Sequence, residues 1–200
     1  IIELIRSAGG NPLSRDTYGD SPFSLVLNYD ENVLRAVLGT NLNIVDSDGN
    51  TPIHIAVEKK VSAQKLDMLI KMGYPVSQRN GKGVTPLNMA ITTSQKSLAL
   101  TLIERGADPF AATITGDNAL TNAFKNGNVE ILDAICKYNA RKTDTAGDSI
   151  LHYAARLAND VQVRHLLELG LDRTAKNLSG ETPSKMAARW NRPAIAELLK

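Results

Sequence analysis

The sequence predicts an all-α array of repeated helix pairs, and three observations carry that prediction. A turn pattern recurs six times: a short polar residue, two variable residues, a Gly, one further residue, then a helix-capping Ser, Thr or Asn. The capping positions are 21, 51, 85, 118, 149 and 182, so successive copies lie 30, 34, 33, 31 and 33 residues apart. A period near 33 residues marks a stacked repeat architecture. After each copy come two helix-length stretches with small or aliphatic residues at helical spacing.

The turn opens each unit. Asp16, Asp46, Asn80, Thr113, Asp144 and Asn177 take its first position, where a short polar side chain can bond backbone two residues on. Glycine takes the fourth, where φ can be positive without a steric penalty. Ser21, Thr51, Thr85, Asn118, Ser149 and Thr182 are all good N-cap types. Pro22, Pro52, Pro86 and Pro183 follow at the first helical position, where a missing N–H costs nothing. Ala119 and Ile150 replace that proline in the fourth and fifth copies.

The first helix of a unit then runs through small residues, as in Ile53 to Val57, Leu151 to Ala155 and Ser184 to Ala188. Alanine there lets neighbouring helices approach closely. The second helix closes on aliphatic pairs: Leu69-Ile70, Leu102-Ile103, Ile135-Cys136 and Leu166-Leu167. Gly73, Gly106, Asn139 and Gly170 follow, residues suited to a left-handed helix end. The units predicted are 1–15 (partial), 16–45, 46–79, 80–112, 113–143, 144–176 and 177–200 (partial), in a single array.

Three of these segments carry a family resemblance. Gly49-Asn50-Thr51-Pro52-Ile53-His54-Ile55-Ala56 and Gly83-Val84-Thr85-Pro86-Leu87-Asn88-Met89-Ala90 resemble the Gly-x-Thr-Pro-Leu-His-x-Ala signature of the ankyrin repeat. Leu102-Ile103-Glu104-Arg105-Gly106-Ala107-Asp108 resembles its Leu-Leu-x-x-Gly-Ala-Asp signature. The resemblance extends over essentially the whole chain. It implies an ankyrin-repeat solenoid of stacked antiparallel helix pairs with projecting β-hairpin loops. It also implies that His54 and His152 are structural, bonding neighbouring hairpin and helix-start groups.

The copies drift as natural arrays do. The first is one residue short between Ser21 and Val37-Leu38, and the second carries an extra residue around Val61 to Gln64. Ile1, Ile2, Leu4 and Ile5 have the pattern of a second helix from an earlier copy, and the sequence ends in another second helix. Terminal repeats normally show a polar outer face. With no initiator Met, the chain is expected to be a monomeric piece of a longer array.

Composition fits a soluble domain, at 42% hydrophobic and 22% charged residues. No apolar run approaches the ~20 residues of a membrane span, so none is expected. A lone cysteine, Cys136, excludes an internal disulfide and leans toward a reducing, cytoplasmic compartment, leaving localisation otherwise open. Net charge is +2 but uneven. Through Cys136 there are 12 Lys+Arg against 14 Asp+Glu; from Lys137 onward there are 11 against 7. The basic part includes Arg141, Lys142, Arg156, Arg164, Arg173, Lys176, Lys185, Arg189 and Arg192. A solvated surface is the plain reading; a groove steering an acidic partner is the sharper one. Nucleic acid is not expected, since neither a basic run nor an aromatic stacking platform appears.

Catalytic and metal chemistry have little to stand on. The histidines are only His54, His152 and His165, the last half-buried beside Leu166, and no His-x-x-x-His or Cys-x-x-Cys spacing exists. Cys136 holds an aliphatic-pair position and should be a buried, inert thiol. Gly81-Lys82-Gly83-Val84-Thr85 lacks the full phosphate-loop pattern and precedes a short helix instead of following a strand. Asn177-Leu178-Ser179 is a formal glycosylation sequon that its turn role already explains. Neither a catalytic residue, a metal nor a cofactor is therefore predicted.

Repeats place equivalent residues in rows, so variable positions should line one concave face. They are the hairpin tips, with Tyr18, Asp48 and Lys82, and the inner-helix ends, with Tyr29, Lys59, Lys125, Arg156, Arg189 and Trp190. Trp, Tyr and Arg dominate interface hot spots, although Trp190 could instead cover the end of the stack on Pro193. The function this predicts is a non-enzymatic scaffold or adaptor binding another protein on that face. The alternatives are a targeting array of a larger enzyme or effector, and a structural or self-associating spacer.

Overall fold

The computed structural model describes residues 10–200. The helix expected near Ile1 to Ile5 lies outside them. Among the described residues there are twelve α-helices and no β-strand. They form two compact units. Unit 1 holds the described residues up to Ala107 with Thr113–Thr115, and unit 2 holds Asp108–Ala112 with Gly116–Lys200.

Unit 1 contains α1 (Pro22–Leu25), α2 (Glu31–Leu38), α3 (Pro52–Glu58), α4 (Ala63–Lys71), α5 (Pro86–Thr92) and α6 (Lys96–Glu104). Unit 2 contains α7 (Ala119–Lys125), α8 (Val129–Asn139), α9 (Ile150–Leu157), α10 (Asp160–Glu168), α11 (Pro183–Arg189) and α12 (Pro193–Leu198). Odd-numbered inner helices pack on the outer helix that follows. Inner also packs on inner, as α3 on α5 and α9 on α11, and outer on outer, as α4 on α6 and α10 on α12. The cores are aliphatic: Ile53, Leu66, Leu69, Leu87 and Leu102 are fully buried in unit 1, as are Leu120, Ile135 and Leu166 in unit 2. Each such side chain contributes ~1.5–3 kcal/mol by leaving water.

The caps sit where the sequence puts them. Side chains of Ser21, Thr51, Thr85, Asn118 and Thr182 accept from the backbone N–H three residues on, at 3.1, 3.4, 3.2, 2.8 and 3.4 Å. The Ser149 hydroxyl pairs with His152 Nδ1 at 2.8 Å, as that of Thr51 also does with His54 Nδ1 at 2.9 Å. The loops before the caps close as tight hairpin turns. In one, Asp46 N–H donates to Asn50 C=O at 2.9 Å and Gly49 N–H to Asp46 C=O at 3.0 Å. Asp46 Oδ1 accepts from the N–H groups of Asp48 (2.9 Å) and Asn50 (2.8 Å). Two backbone bonds are too few for a strand ladder, so the projecting loops are turns without strands.

Histidine ties one repeat to the next. His54 is fully buried, and its Nε2–H donates to Val84 C=O at 2.9 Å. Its Nδ1 accepts the Thr51 N–H at 3.2 Å. A carbonyl on one side and an N–H on the other fix the neutral tautomer. Burial, the main cause, pushes the His54 pKa below its ordinary value. His152 repeats the arrangement, with Nε2 donating to Glu181 C=O at 2.9 Å and Nδ1 accepting Ser149 N–H at 3.1 Å.

Two details differ from expectation or refine it. The residue missing from the first copy comes out of its inner helix, since α1 has 4 residues where α3 has 7. Asn139 does not end its helix in the left-handed region, as Gly73, Gly106 and Gly170 do. Instead it is the last residue of α8, and Ala140 continues with φ −50°. A Cβ makes the left-handed turn cost ~1–2 kcal/mol, and the chain turns through Lys142 N–H to Asn139 C=O at 2.9 Å instead. Asn139 is left 1% exposed, with both side-chain amide atoms unpartnered.

Candidate functional site

The hairpin tips and inner-helix ends of each unit carry the residues singled out by the sequence. Tyr18 stands at the first tip, 89% exposed. Its N–H is held by Asp16 Oδ1 at 2.9 Å, so the tip is fixed while the ring is free. Tyr29, just past α1, is 59% exposed, and its C=O accepts from Lys65 Nζ. Asp48 and Lys82 are exposed at successive tips. Asp48 C=O takes the Gly81 N–H at 2.8 Å, which sets these two hairpins side by side. Trp190, just past α11, is half-exposed.

Four of the charged members, Lys59, Lys125, Arg156 and Arg189, are ion-paired. In unit 1, Lys59 Nζ donates to Asp20 at 2.6 Å, and Asp20 belongs to the preceding repeat. That hydrogen bond lowers the Asp20 pKa. In unit 2, Lys125 pairs with Asp117 at 2.8 Å, Arg156 with Asp148 at 3.6 Å, and Arg189 with Glu181 at 3.1 Å. Each acid follows the glycine of the same repeat's turn, eight residues before its base. Arg156 also lies over the Tyr153 ring, 4.4 Å from its centre.

Two features of this face were not singled out from sequence. Arg15 Nε donates to Asp46 at 3.1 Å, while its two terminal nitrogens grip both oxygens of Glu58 at 2.7 Å. Burial opposes ionisation of Asp46, but hydrogen bonds from Asn50 and Arg15 outweigh it, and the carboxyl sits below its usual range. These groups line a cavity of about 810 Å³ with Asp48, Lys82 and Met89. Most of its lining side chains are polar, and Arg15, Asp46, Asn50 and Glu58 among them are hydrogen-bonded to one another, so it suits a polar contact surface better than a small apolar ligand. Arg15 precedes the turn residue, a position holding Val45, Arg79, Ala112, Thr143 and Lys176 in the other copies, so no single residue type there pointed to it.

The second feature is in unit 2. Tyr153 OH donates to Asp144 at 2.8 Å and accepts from Asn118 Nδ2 at 3.0 Å, joining two turns. Burial chiefly, with Asp144, pushes its pKa up to about 12. Phe110 meets the Tyr153 ring edge-on at 5.6 Å.

Other candidates resolve plainly. Cys136 is buried, and burial first, with Asp133 second, pushes its thiol up to about 12, far from a reactive thiolate. His165 is half-buried and meets Asp133 at 2.5 Å. Asn177 spends its amide on Asp148, Ser179 and Glu181, so its sequon is a turn. Among the described residues no group of three or more His, Cys, Asp or Glu side chains could hold a metal ion. No described helix is long and apolar enough to cross a membrane.

Comparison with known proteins agrees with this geometry. The B-cell lymphoma 3 protein homolog of Mus musculus is 29% identical over 160 residues, covering 77% of this chain and 36% of that protein. Intracellular phospholipase A2 of Caenorhabditis elegans is 28% identical over 145 residues, covering 68% of this chain and 14% of that protein. The chain thus spans about a third or less of these relatives' length. The crystal structure of the ankyrin repeat domain of Bcl-3, a unique member of the IkappaB protein family, superposes with a TM-score of 0.67 at 26% identity. That match covers 99% of this chain and 90% of the other. Ankyrin repeats (3 copies), a family of protein–protein interaction modules, match residues 23–113 and 120–200, and the chain belongs to the ankyrin-repeat family.

Proposed function

We propose that this chain is a non-enzymatic scaffold or adaptor that holds a partner protein along the hairpin tips and inner-helix ends. The observation that carries the reading is the exposure of Tyr18, Tyr29 and Trp190 at 89%, 59% and 54%. Large aromatics left in water at registered positions are the residue types that anchor interfaces. The ion-paired cations of each unit supply a polar rim and set orientation more than affinity.

A second reading has its own support. The segments matched in the mouse and worm relatives sit inside much longer chains, one of them a phospholipase A2. An array of this kind would then target an active domain encoded outside this sequence.

The test is to capture a partner on the immobilised chain, purify it, and measure binding to variants. Tyr18→Ala, Tyr29→Ala and Trp190→Ala should each weaken binding, by faster release. Lys71→Glu and Lys137→Glu, on outer helices, should leave it unchanged. The reverse pattern would overturn the assignment of the face.

A further inference from the structure

Of the surplus positive charge of the C-terminal repeats, Lys185 alone lies exposed and outside any ion pair on the inner helices of unit 2, among the described residues. There, Lys125, Arg156 and Arg189 are each matched by an acid of their own turn. The exposed cations concentrate instead on two successive return loops, the segments leading from an outer helix back to the next turn. Arg141 and Lys142 lie on the first, and Arg173 and Lys176 on the second, all four exposed and none in an ion pair. Between the loops runs a groove of about 370 Å³ lined by Ala140, Arg141, Thr143, Leu171, Asp172 and Ala175, among others. Its floor includes the buried side chains Ile150 and Leu151.

The groove is therefore apolar below; Arg141 lines it, and Lys142, Arg173 and Lys176 stand exposed on the same two loops outside its lining. Its one carboxylate, Asp172, is already engaged, accepting from Thr174 N–H at 2.8 Å and Thr174 Oγ1 at 2.7 Å. Four cations against one carboxylate leave a surplus of three. Unit 1 has no equivalent, since its return loops at 41–45 and 74–79 carry only Arg79 between them. Like charges gathered on adjacent loops repel one another, a cost that an anionic partner would turn into attraction.

We propose that this return-loop groove docks an acidic peptide segment, with an aliphatic side chain on the apolar floor and carboxylates against Arg141, Lys142, Arg173 and Lys176. The groove would work independently of the hairpin-tip face, and so does not rest on the function proposed above. An aliphatic floor with spaced cations fits alternating Leu and Glu. Nucleic acid would need an aromatic stacking platform or a longer basic track, and neither lines the groove.

The test uses the whole chain and a fluorescein-labelled nonapeptide of three Glu-Leu-Glu triplets, read by anisotropy at low and high salt. The peptide should bind, more weakly as salt rises. Arg141→Glu with Lys142→Glu, or Arg173→Glu with Lys176→Glu, should weaken binding at least tenfold. Lys125→Glu with Arg189→Glu should change it less than twofold. All six substitutions are on exposed side chains, and circular dichroism would confirm the fold. Three results would each overturn the proposal. One is equal binding of a Lys-Leu-Lys peptide. Another is equal loss in the Lys125→Glu, Arg189→Glu variant. The third is binding of single-stranded DNA or phosphatidylserine vesicles where the peptide fails.

Discussion

On the hairpin and inner-helix face, the two units wire their charges differently. In unit 1 the ion pairs cross between repeats. Arg15 reaches Asp46 and Glu58, and Lys59 reaches back to Asp20. In unit 2 each pair closes within a single repeat, as Asp117–Lys125, Asp148–Arg156 and Glu181–Arg189. Around its inner helices and turns, unit 2 ties its repeats without such ion pairs. Gln162 Nε2 donates to Phe124 C=O at 3.2 Å, and Arg192 donates to the carbonyls of Ala154, Ala155 and Ala158. A pair that crosses between repeats couples their stabilities. One that closes inside a repeat only orients its own side chains. The same residue types at near-equivalent positions thus have opposite mechanical consequences.

The largest contrast should come from turn glycines. Gly49 has φ +77°, and a Cβ there would sit 2.7 Å from Gly81 N of the next hairpin. Gly116 in unit 2 has φ +85° with nothing within 4 Å of a Cβ. Gly49→Ala should cost about 3 kcal/mol or more, from clash and strain together, and Gly116→Ala only the left-handed penalty of about 1 kcal/mol. Chemical denaturation measures both.

Next come the ion pairs. Arg15→Ala leaves Asp46 with a buried side chain and one charged partner fewer, and should cost about 2 kcal/mol. Arg189→Ala removes an exposed pair and should stay within about 0.5 kcal/mol. Equal effects in denaturation midpoints would erase the distinction between the units.

Arg192→Ala should cost about 1–2 kcal/mol by stranding the carbonyls at the end of α9. Hydrogen exchange should show the loss in α9 and α11, and Arg192→Lys, which lacks the planar fork, should recover only part of it.

A further effect is on pH dependence. Folded His54 has a lowered pKa, so below about 6.5 the unfolded chain binds a proton that the folded unit refuses. Stability is full above that value and falls as pH drops below it, by at most about 1.4 kcal/mol per pH unit. Asp46, also lowered, contributes stability above the ordinary carboxylate value that is lost further into acid. In His54→Asn, which places there the residue type of Asn88, the stability–pH curve should be flatter between pH 7 and 5.

Most of the fold was legible because it is dictated locally and repeated. Capping, proline and glycine positions at Thr51, Pro52 and Gly49 obey short-range rules, and six copies average out the ambiguity of each. Asn139 was misjudged because its residue type suits the left-handed region, while α8 runs on through it to 11 residues, against 9 in α4, α6 and α10. The exposed aromatics were legible as positions in a register. The ion pairs were not, because they depend on distances between repeats. Nothing in the sequence says that Lys59 reaches Asp20 across a repeat while Lys125 turns back to Asp117. For the same reason the charge surplus was visible from composition, but its place on the return loops was not.

Native-state hydrogen exchange on the wild type, Arg15→Ala and Arg189→Ala tests the central claim most directly. Coupling across repeats predicts that Arg15→Ala lowers protection together in α1, α2, α3 and α4. Arg189→Ala should leave every helix outside α11 and α12 at its wild-type protection. A loss confined to the turn at Asp46 in the first variant, or spread over all of unit 2 in the second, would contradict the account.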